Sequence, residues 1–317
     1  MTNKEKYYTF CDIEKTIPIF SQAWWLDAVC GDDWDVCLVE KGNEIYATMP
    51  YQLKKRYGFT FLVQPPLTQN LGPWLISPTA KYSKMLGQRK DLMEDLISQL
   101  PKHHYFSQNW HYSLTNWLPF YWAGFEQTTY YTYVFDDLSN KELIWKKMQE
   151  NIRTDIRKAQ KLNLTVCKDL SIEAFIALNK MTFDRQNIVA SYSEYLLKNF
   201  LGIAISRNQC QWFIAQDEKE QNHAGVLIVW DENSAYYLLG GSDPNLRNSG
   251  AMSLCMWEAI QFASTVTKKF DFEGSMIESV ERYFRAFGAE QKPYFHITKI
   301  PSYMLRMIKT LKLASQL

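Results

Sequence analysis

The chain has 317 residues, with 35 Lys and Arg against 34 Asp and Glu, a formal net charge of +1 and 46% hydrophobic residues. That length fits one large domain or two of ordinary size, the composition is globular rather than disordered, and the balanced charge argues against a general nucleic-acid binder. The opening residues hold no apolar signal-type stretch and no apolar run reaches bilayer length, so the expectation is a cytoplasmic protein. Six scattered Cys without a C-x-x-C pair predict free thiols, and five His without H-x-x-x-H spacing predict no metal site.

Three β-rich runs, at 35–40, 44–53 and 59–67, are separated by short polar breaks and predict a meander. Beyond Gly72-Pro73 and Pro78, residues 81–100 have helical spacing, with Met85, Leu92, Leu96 and Leu100 available for one stripe. Residues 103–110 read as a strand, 114–125 as a helix interrupted by Pro119, and 128–135 as a strand. One continuous helix is expected over 141–161. The second half repeats the order, with strands at 211–216, 224–230 and 234–242, a helix at 250–265, a strand at 268–275, a helix at 277–288 and a strand at 293–300. Near the ends of the halves the letters also correspond, around Glu126-Gln127 and Glu290-Gln291, about 164 residues apart. An α/β (α+β) chain duplicated into two related lobes, 1–138 and 139–317, is the reading.

The helix expected at the lobe junction is amphipathic. Ile144, Met148, Ile152, Ile156 and Ala159 form an apolar stripe, while Arg153, Arg157 and Lys161 recur every four residues on another arc that Lys146 joins. Local pairs Lys146–Glu150, Glu150–Arg153 and Asp155–Lys158 would make this a salt-laced surface helix. They leave Arg157 and Lys161 without a local acid, and guanidinium and ammonium groups stacked in this way suit a phosphate or pyrophosphate.

The run Arg153-x-x-Ile156-Arg157-x-Ala159-x-Lys161 resembles the Fem-type aminoacyltransferases and their relatives in the GNAT acyltransferase superfamily, which carry R-x-x-I-R-x-A-x-K at the start of their second lobe. The stretch from Phe270 through Gly274 to Phe287-Gly288 is similar to the same family's F-D-x-x-G, helix, F-G ending. Asn163 stands where the family usually has Gly and is able to take the same left-handed conformation. The resemblance implies two tandem GNAT-like lobes, each a mixed, mostly antiparallel sheet flanked by helices. It also implies acyl transfer to an amine, with acyl-CoA or aminoacyl-tRNA as co-substrate rather than a resident cofactor.

On that resemblance Arg153, Arg157 and Lys161 would hold the acceptor's phosphate. Arg185 is a further candidate for an anionic acceptor, and so is Arg285, which stands near the lysine of members using an aminoacyl-tRNA donor. Arg247, Ser249 and Gly250, between a strand and a helix, match part of the turn with which acyl-CoA-using relatives cradle a pyrophosphate. No nucleophile elbow or Cys-His arrangement points to an acyl-enzyme. Asp271 and Glu273 alternate with Phe270 and Phe272 and are expected on one side of a strand, Glu273 as general base and Asp271 as its orienter. The plainer alternative pairs them with Arg282 or Arg285, or makes one a helix cap. Tyr236 and Tyr237 are possible donors to an acyl oxygen, and Gly240 and Gly241 would allow close backbone approach to a ligand.

The expected function is N-acyl transfer to an amine of a cell-envelope or polysaccharide precursor. The acceptor would be phosphorylated or lipid-linked, with tRNA a further partner. The alternative is a non-catalytic lobe pair that binds a nucleotide-sugar or a protein partner. At the C-terminal end Met304, Ile308 and Leu311 lie on one side of a helical pattern and Arg306, Lys309 and Lys312 elsewhere, a pattern suited to the inner face of a membrane or to docking on the protein body.

Overall fold

The computed structural model describes residues 1–77 and 80–307. The chain divides into two compact units: Met1–Tyr130 together with the chain from Pro293 onward, and Tyr131–Lys292.

In the first unit, helices α1 (Asn3–Ile13) and α2 (Ala23–Cys30) precede strands β1 (Trp34–Lys41), β2 (Glu44–Arg56) and β3 (Phe59–Val63). These three strands form the expected antiparallel meander, and the two-residue β4 (Trp74–Leu75) adds to β2. Helix α3 (Tyr82–Gln99) buries Leu92, Met93 and Leu96, and leads to β5 (Tyr105–Asn109), which runs parallel to β3. Helix α4 (Leu118–Trp122), with Pro in its first turn where a missing N–H costs nothing, closes the core with Phe120.

The second unit continues with β6 (Glu126–Phe135), α5 (Lys141–Lys147), α6 (Glu150–Lys161) and β7 (Thr165–Cys167). The single helix expected over 141–161 is two. Met148 and Gln149 are extended, and the Gln149 N–H leaves the helix to donate to the Ala286 carbonyl at 2.8 Å. Asn163 takes the left-handed conformation at φ +55° just past α6. Helices α7 (Ile172–Gln186) and α8 (Glu194–Ser206) are not among the elements expected from the sequence. Their signals were capping residues, since the Ser171 and Ser193 hydroxyls accept from the N–H groups of Ala174 and Leu196.

Strands β8 (Cys210–Gln216), β9 (Asn222–Trp230) and β10 (Ala235–Ser242) are antiparallel, and α9 (Ala251–Val266) leads to β11 (Phe270–Asp271), parallel to β10. Phe213, Val226, Ile228 and Cys255 are core residues of this unit. Helix α10 (Glu278–Arg285) then leads to β12 (Glu290–Lys299).

The two units repeat one topology: three antiparallel strands, a parallel strand after a helix, and an antiparallel strand beyond it. In each, that last strand comes from the other half of the chain. β6 pairs with β11 through Phe135↔Phe270, and β12 pairs with β5 through His296↔Asn109. Both strands begin at the Glu of the repeated Glu-Gln, and each follows a left-handed glycine, Gly124 at φ +79° and Gly288 at φ +82°. This exchange is why the division differs from the expected 1–138 and 139–317. The C-terminal strand joins the first unit because its backbone partner is β5.

Candidate active site

In the second unit β10 is paired along its length with β9, with an irregularity between Tyr237 and Leu239. On its other side it pairs with β11 only at Ala235↔Phe270 and Tyr236↔Asp271. From Tyr237 to Ser242 it runs on without β11, so two parallel strands part and open a backbone edge. In the first unit the chain after β3 occupies the equivalent place. There Leu71 bridges to Trp110, and the Asn109 N–H donates to the Gln64 side chain at 2.6 Å.

Asp271 and Glu273 do not share a strand face, which corrects the sequence expectation. The strand ends at Asp271, whose Oδ1 accepts from the Thr132 hydroxyl and from the Glu273 N–H at 2.8 Å. That second bond folds the chain into a tight turn, with Glu273 left-handed at φ +63°. Gly274 follows with the same φ, and a Cβ there would stand 2.0 Å from the Tyr131 carbonyl oxygen, so only glycine fits. Asp271 is 2% exposed, and burial pushes its carboxyl up to about 6. Glu273 as a residue is partly exposed, but its Oε1 is sealed and has no hydrogen-bond partner. Burial, then the neighbouring Asp271 carboxylate, raise the Glu273 carboxyl well above the usual range. A carboxyl with a sealed, unpartnered oxygen and a raised pKa is suited to taking up and releasing a proton.

Of the two tyrosines noted in the sequence, Tyr236 is 1% exposed and packs in the interior. Tyr237 is the one at the parting of the strands. Its hydroxyl lies over Gly240, where a Cβ would come within 2.2 Å of it. Its ring meets Phe284 edge-on at 5.6 Å. Sequence reasoning missed three residues that complete this region. The Tyr192 hydroxyl donates to Asn179 Oδ1 at 3.0 Å, and Asn179 in turn donates to the Gly240 carbonyl at 3.0 Å. The Tyr283 hydroxyl is buried beside the Ser253 side chain. Burial holds the phenols of Tyr237 and Tyr283 far above their usual range and pushes Tyr192 up to about 12, so all three remain protonated donors at neutral pH. Gly241 serves helix packing instead, because a Cβ there would strike the α7 backbone at Leu178 and Asn179, 2.3 Å away.

The expected pyrophosphate turn is a 3-10 turn over Arg247–Ser249, with Gly250 left-handed at φ +80° as the N-cap of α9. Gly250 is dictated by packing, since a Cβ would lie 2.1 Å from the Asp155 carbonyl oxygen of α6. The basic helix and the turn are thus adjacent. Ser249 is 7% exposed and its hydroxyl accepts from the Ala251 N–H at 3.4 Å, while Arg247 is exposed.

On α6, Glu150 takes both guanidinium groups, Arg153 at 2.6 Å and Arg157 at 3.0 Å. Arg157 therefore has an acidic partner seven residues away, beyond the i−3 and i−4 neighbours; no ion pair of Glu150 with Lys146 or of Asp155 with Lys158 forms. The Arg153 Nη1 also reaches the Lys146 carbonyl at 3.4 Å, and its Nε is buried without a partner. Lys161 is exposed and makes no ion pair among the described residues. Arg185, near the end of α7, is exposed and is not shown beside these groups. Arg285 is engaged by Glu281 at 2.9 Å, which also accepts from the Tyr133 hydroxyl, so it does not pair with Asp271 or Glu273. All six cysteines are free thiols, and burial raises Cys210 to about 12 and Cys11 to about 11, which disfavours a thiolate nucleophile.

Residues 146–285 match the Acetyltransferase (GNAT) domain family. No curated protein matches the sequence. Among solved structures, FemX superposes with a TM-score of 0.68 at 10% identity, covering 93% of this chain and 96% of its own. The C-terminal domain of a putative lysylphosphatidylglycerol synthetase from Agrobacterium fabrum gives 0.56 at 13% identity, with 93% and 91% covered. A tandem GNAT protein from the clavulanic acid biosynthesis pathway gives 0.54 at 8% identity, with 94% and 95% covered. Family match and repeated topology agree: residues 146–285, within the second unit, are similar to the GNAT acetyltransferase domain, and the chain has a tandem GNAT-like fold similar to that of FemX.

Proposed function

We propose that the protein is an N-acyltransferase that moves an acyl or aminoacyl group onto an amine of a phosphorylated or lipid-linked cell-envelope or polysaccharide precursor. The observation that carries this reading is the Glu273 Oε1, sealed and without a hydrogen-bond partner in the turn that directly follows β11, whose pairing with β10 is only two residues long.

Acyl transfer needs the amine held against the acyl carbon, a base for its proton and donors for the oxyanion. Glu273 is the base: as the new C–N bond forms, its carboxylate takes a proton from the amine. Asp271, through its bond to the Glu273 N–H, is a positioning residue that fixes the turn. Tyr237, whose hydroxyl lies over Gly240, donates to the developing oxyanion. Collapse of that intermediate breaks the bond to the leaving group, the CoA sulfur when acyl-CoA is the donor, which departs as thiolate and receives the proton that Glu273 took from the amine, restoring the base.

The N-terminus of α9, whose N-cap Gly250 brings no side chain, takes the CoA pyrophosphate together with Arg247 and Ser249 through backbone N–H groups and the helix dipole. Arg153, Arg157 and Lys161 take the acceptor's phosphate, which displaces Glu150 from the two guanidiniums. Arg185 and Arg285 are outer contacts for the same anionic acceptor. Aminoacyl-tRNA is the alternative donor, and the likeness to a putative lysylphosphatidylglycerol synthetase supports aminoacyl transfer to a lipid-linked acceptor.

No helix among the described residues is long and apolar enough to cross a membrane, so a cytoplasmic enzyme would reach such an acceptor from the bilayer's inner face. Of the C-terminal segment expected to rest there, Met304 is 53% exposed and Arg306 donates to the Ile300 carbonyl at 2.7 Å; Ile308, Lys309, Leu311 and Lys312 lie outside the described residues.

The test is a thermal-shift and turnover screen of acyl-CoAs, aminoacyl-tRNA and UDP-sugars, with the Arg153→Gln/Arg157→Gln variant alongside. The reading expects one donor and one phosphorylated acceptor to stabilise the wild type, with the acceptor's effect lost in the variant. Equal stabilisation of both proteins by phosphorylated acceptors would remove the basic helix from the mechanism.

A further inference from the structure

We propose that the first unit holds a binding site of its own for a small organic oxyanion, in the cavity at the carboxyl end of its parallel strand pair β3 and β5. β5 ends at Asn109, and Leu71 bridges to Trp110 immediately beyond it. The segments that follow those two residues wall a cavity of about 260 Å³. This is the end of a parallel pair at which α/β sheets commonly receive ligands, and in the second unit the corresponding strands part at the candidate active site.

The chemistry of the lining selects the ligand's charge. Arg89 of α3, His111, Ser113 and Ser77 contribute polar groups, and no carboxylate of the described residues lines the cavity. Arg89 has no ion pair among the described residues, and its Nε is sealed without a hydrogen-bond partner. The Thr16 hydroxyl is already used, since it donates to Glu14 at 2.6 Å and accepts from the Trp74 indole at 2.8 Å. His111 Nδ1 accepts from the Ser113 N–H at 3.3 Å, so a neutral ring carries its proton on Nε2.

Beside the cavity a second donor is orphaned. The Trp110 Nε1 is buried without a partner, and Gly72, left-handed at φ +95°, is pressed so close to that ring that a Cβ would stand 2.7 Å from it. Buried donors are normally satisfied, and Arg89 lines this cavity with no hydrogen bond or ion pair among the described residues, which calls for an acidic ligand on the guanidinium.

Trp74, Leu75 and Leu114 supply the apolar remainder of the wall. The volume lies just below the range of drug-sized pockets, about 300–1,000 Å³. The ligand is therefore a phosphate monoester or carboxylate on a short organic body. This site does not depend on the acyl-transfer reading, which concerns the other unit.

Calorimetric titration of the full chain with glycerol 3-phosphate and, separately, N-acetylglycine tests it. We expect saturable one-site binding of at least one probe, and the tighter of the two identifies the headgroup. Arg89→Gln is expected to weaken it at least tenfold, Arg89→Lys to retain part of it, and Arg153→Gln/Arg157→Gln to leave it unchanged. Tungstate soaked into wild-type crystals gives a readout that no folding defect of a variant can obscure, with an anomalous peak expected against Arg89. The proposal is overturned by no saturable heat with either probe, by wild-type affinity in Arg89→Gln, by loss of binding in the Arg153/Arg157 variant, or by tungstate bound only elsewhere.

Discussion

Gly250 and Asp155 meet backbone to backbone, with the glycine's missing Cβ leaving room for the aspartate carbonyl oxygen 2.1 Å from where that carbon would be. The left-handed N-cap of α9 and the middle of the basic helix are thereby locked together. A side chain at Gly250 must adopt a strained φ and also push α6 away. Gly250→Ala is expected to destabilise the protein by about 2–5 kcal/mol. Chemical denaturation measures that loss, and a raised KM for acyl-CoA in the folded fraction would accompany it.

Glu273→Gln keeps the shape of the side chain and removes its capacity to take a proton. Transfer is expected to fall by about 10²–10⁴ in kcat, the usual worth of a general base. The wild-type rate should rise with pH through the raised Glu273 pKa, because only the deprotonated form accepts a proton, and that limb should vanish in the variant. A pH–rate profile of both proteins decides the matter.

Asp271 offers a stability test with a fixed sign. Its folded carboxyl lies at about 6 against an ordinary 3.8, so the folded state holds more protons than the unfolded state between those values. Its contribution to stability is therefore fully present below about pH 4 and is lost as pH rises towards 6. Asp271→Asn retains an oxygen for both Thr132 and the Glu273 N–H. It is expected to flatten that slope and to be more stable at pH 7 by about 1–3 kcal/mol, by the linkage of about 1.4 kcal/mol per pKa unit. Removing the charge beside Glu273 should also move the acidic limb of the rate profile to lower pH.

Glu150 shares its carboxylate between Arg153 and Arg157, and it is exposed. Surface pairs of this kind contribute little because water and salt screen them, so Glu150→Gln should leave the unfolding midpoint nearly unchanged. If the pair of arginines binds an acceptor's phosphate, freeing them should lower the acceptor's KM, most clearly at low salt. Steady-state kinetics at two ionic strengths would show it.

Tyr237→Phe removes one hydroxyl over Gly240 and leaves the ring against Phe284. Loss of an oxyanion donor predicts a kcat lower by about 10²–10³ with little change in KM. An unchanged kcat would leave Tyr237 as packing only.

The repeat was legible in the letters because local pattern dictates strands and helices: the period-two runs from Trp34 to Val63 and from Cys210 to Ser242, and the matching Glu-Gln starts of β6 and β12. The basic face of α6 and its left-handed Asn163 were legible for the same reason, since helical spacing and cap chemistry are local. Tertiary structure decided the rest, because it depends on which distant backbones meet. Gln149 breaks the junction helix to reach Ala286, and β6 and β12 each complete the unit of the other half. Glu273 leaves its strand because Asp271 captures its N–H. Tyr192, Asn179 and Tyr283 join the candidate site through separate helices and a loop, and their spacing in the chain carries no sign of it. Periodicity and caps are properties of neighbouring residues; burial, orphaned donors and raised carboxyl pKa values exist only once the chain has closed around them.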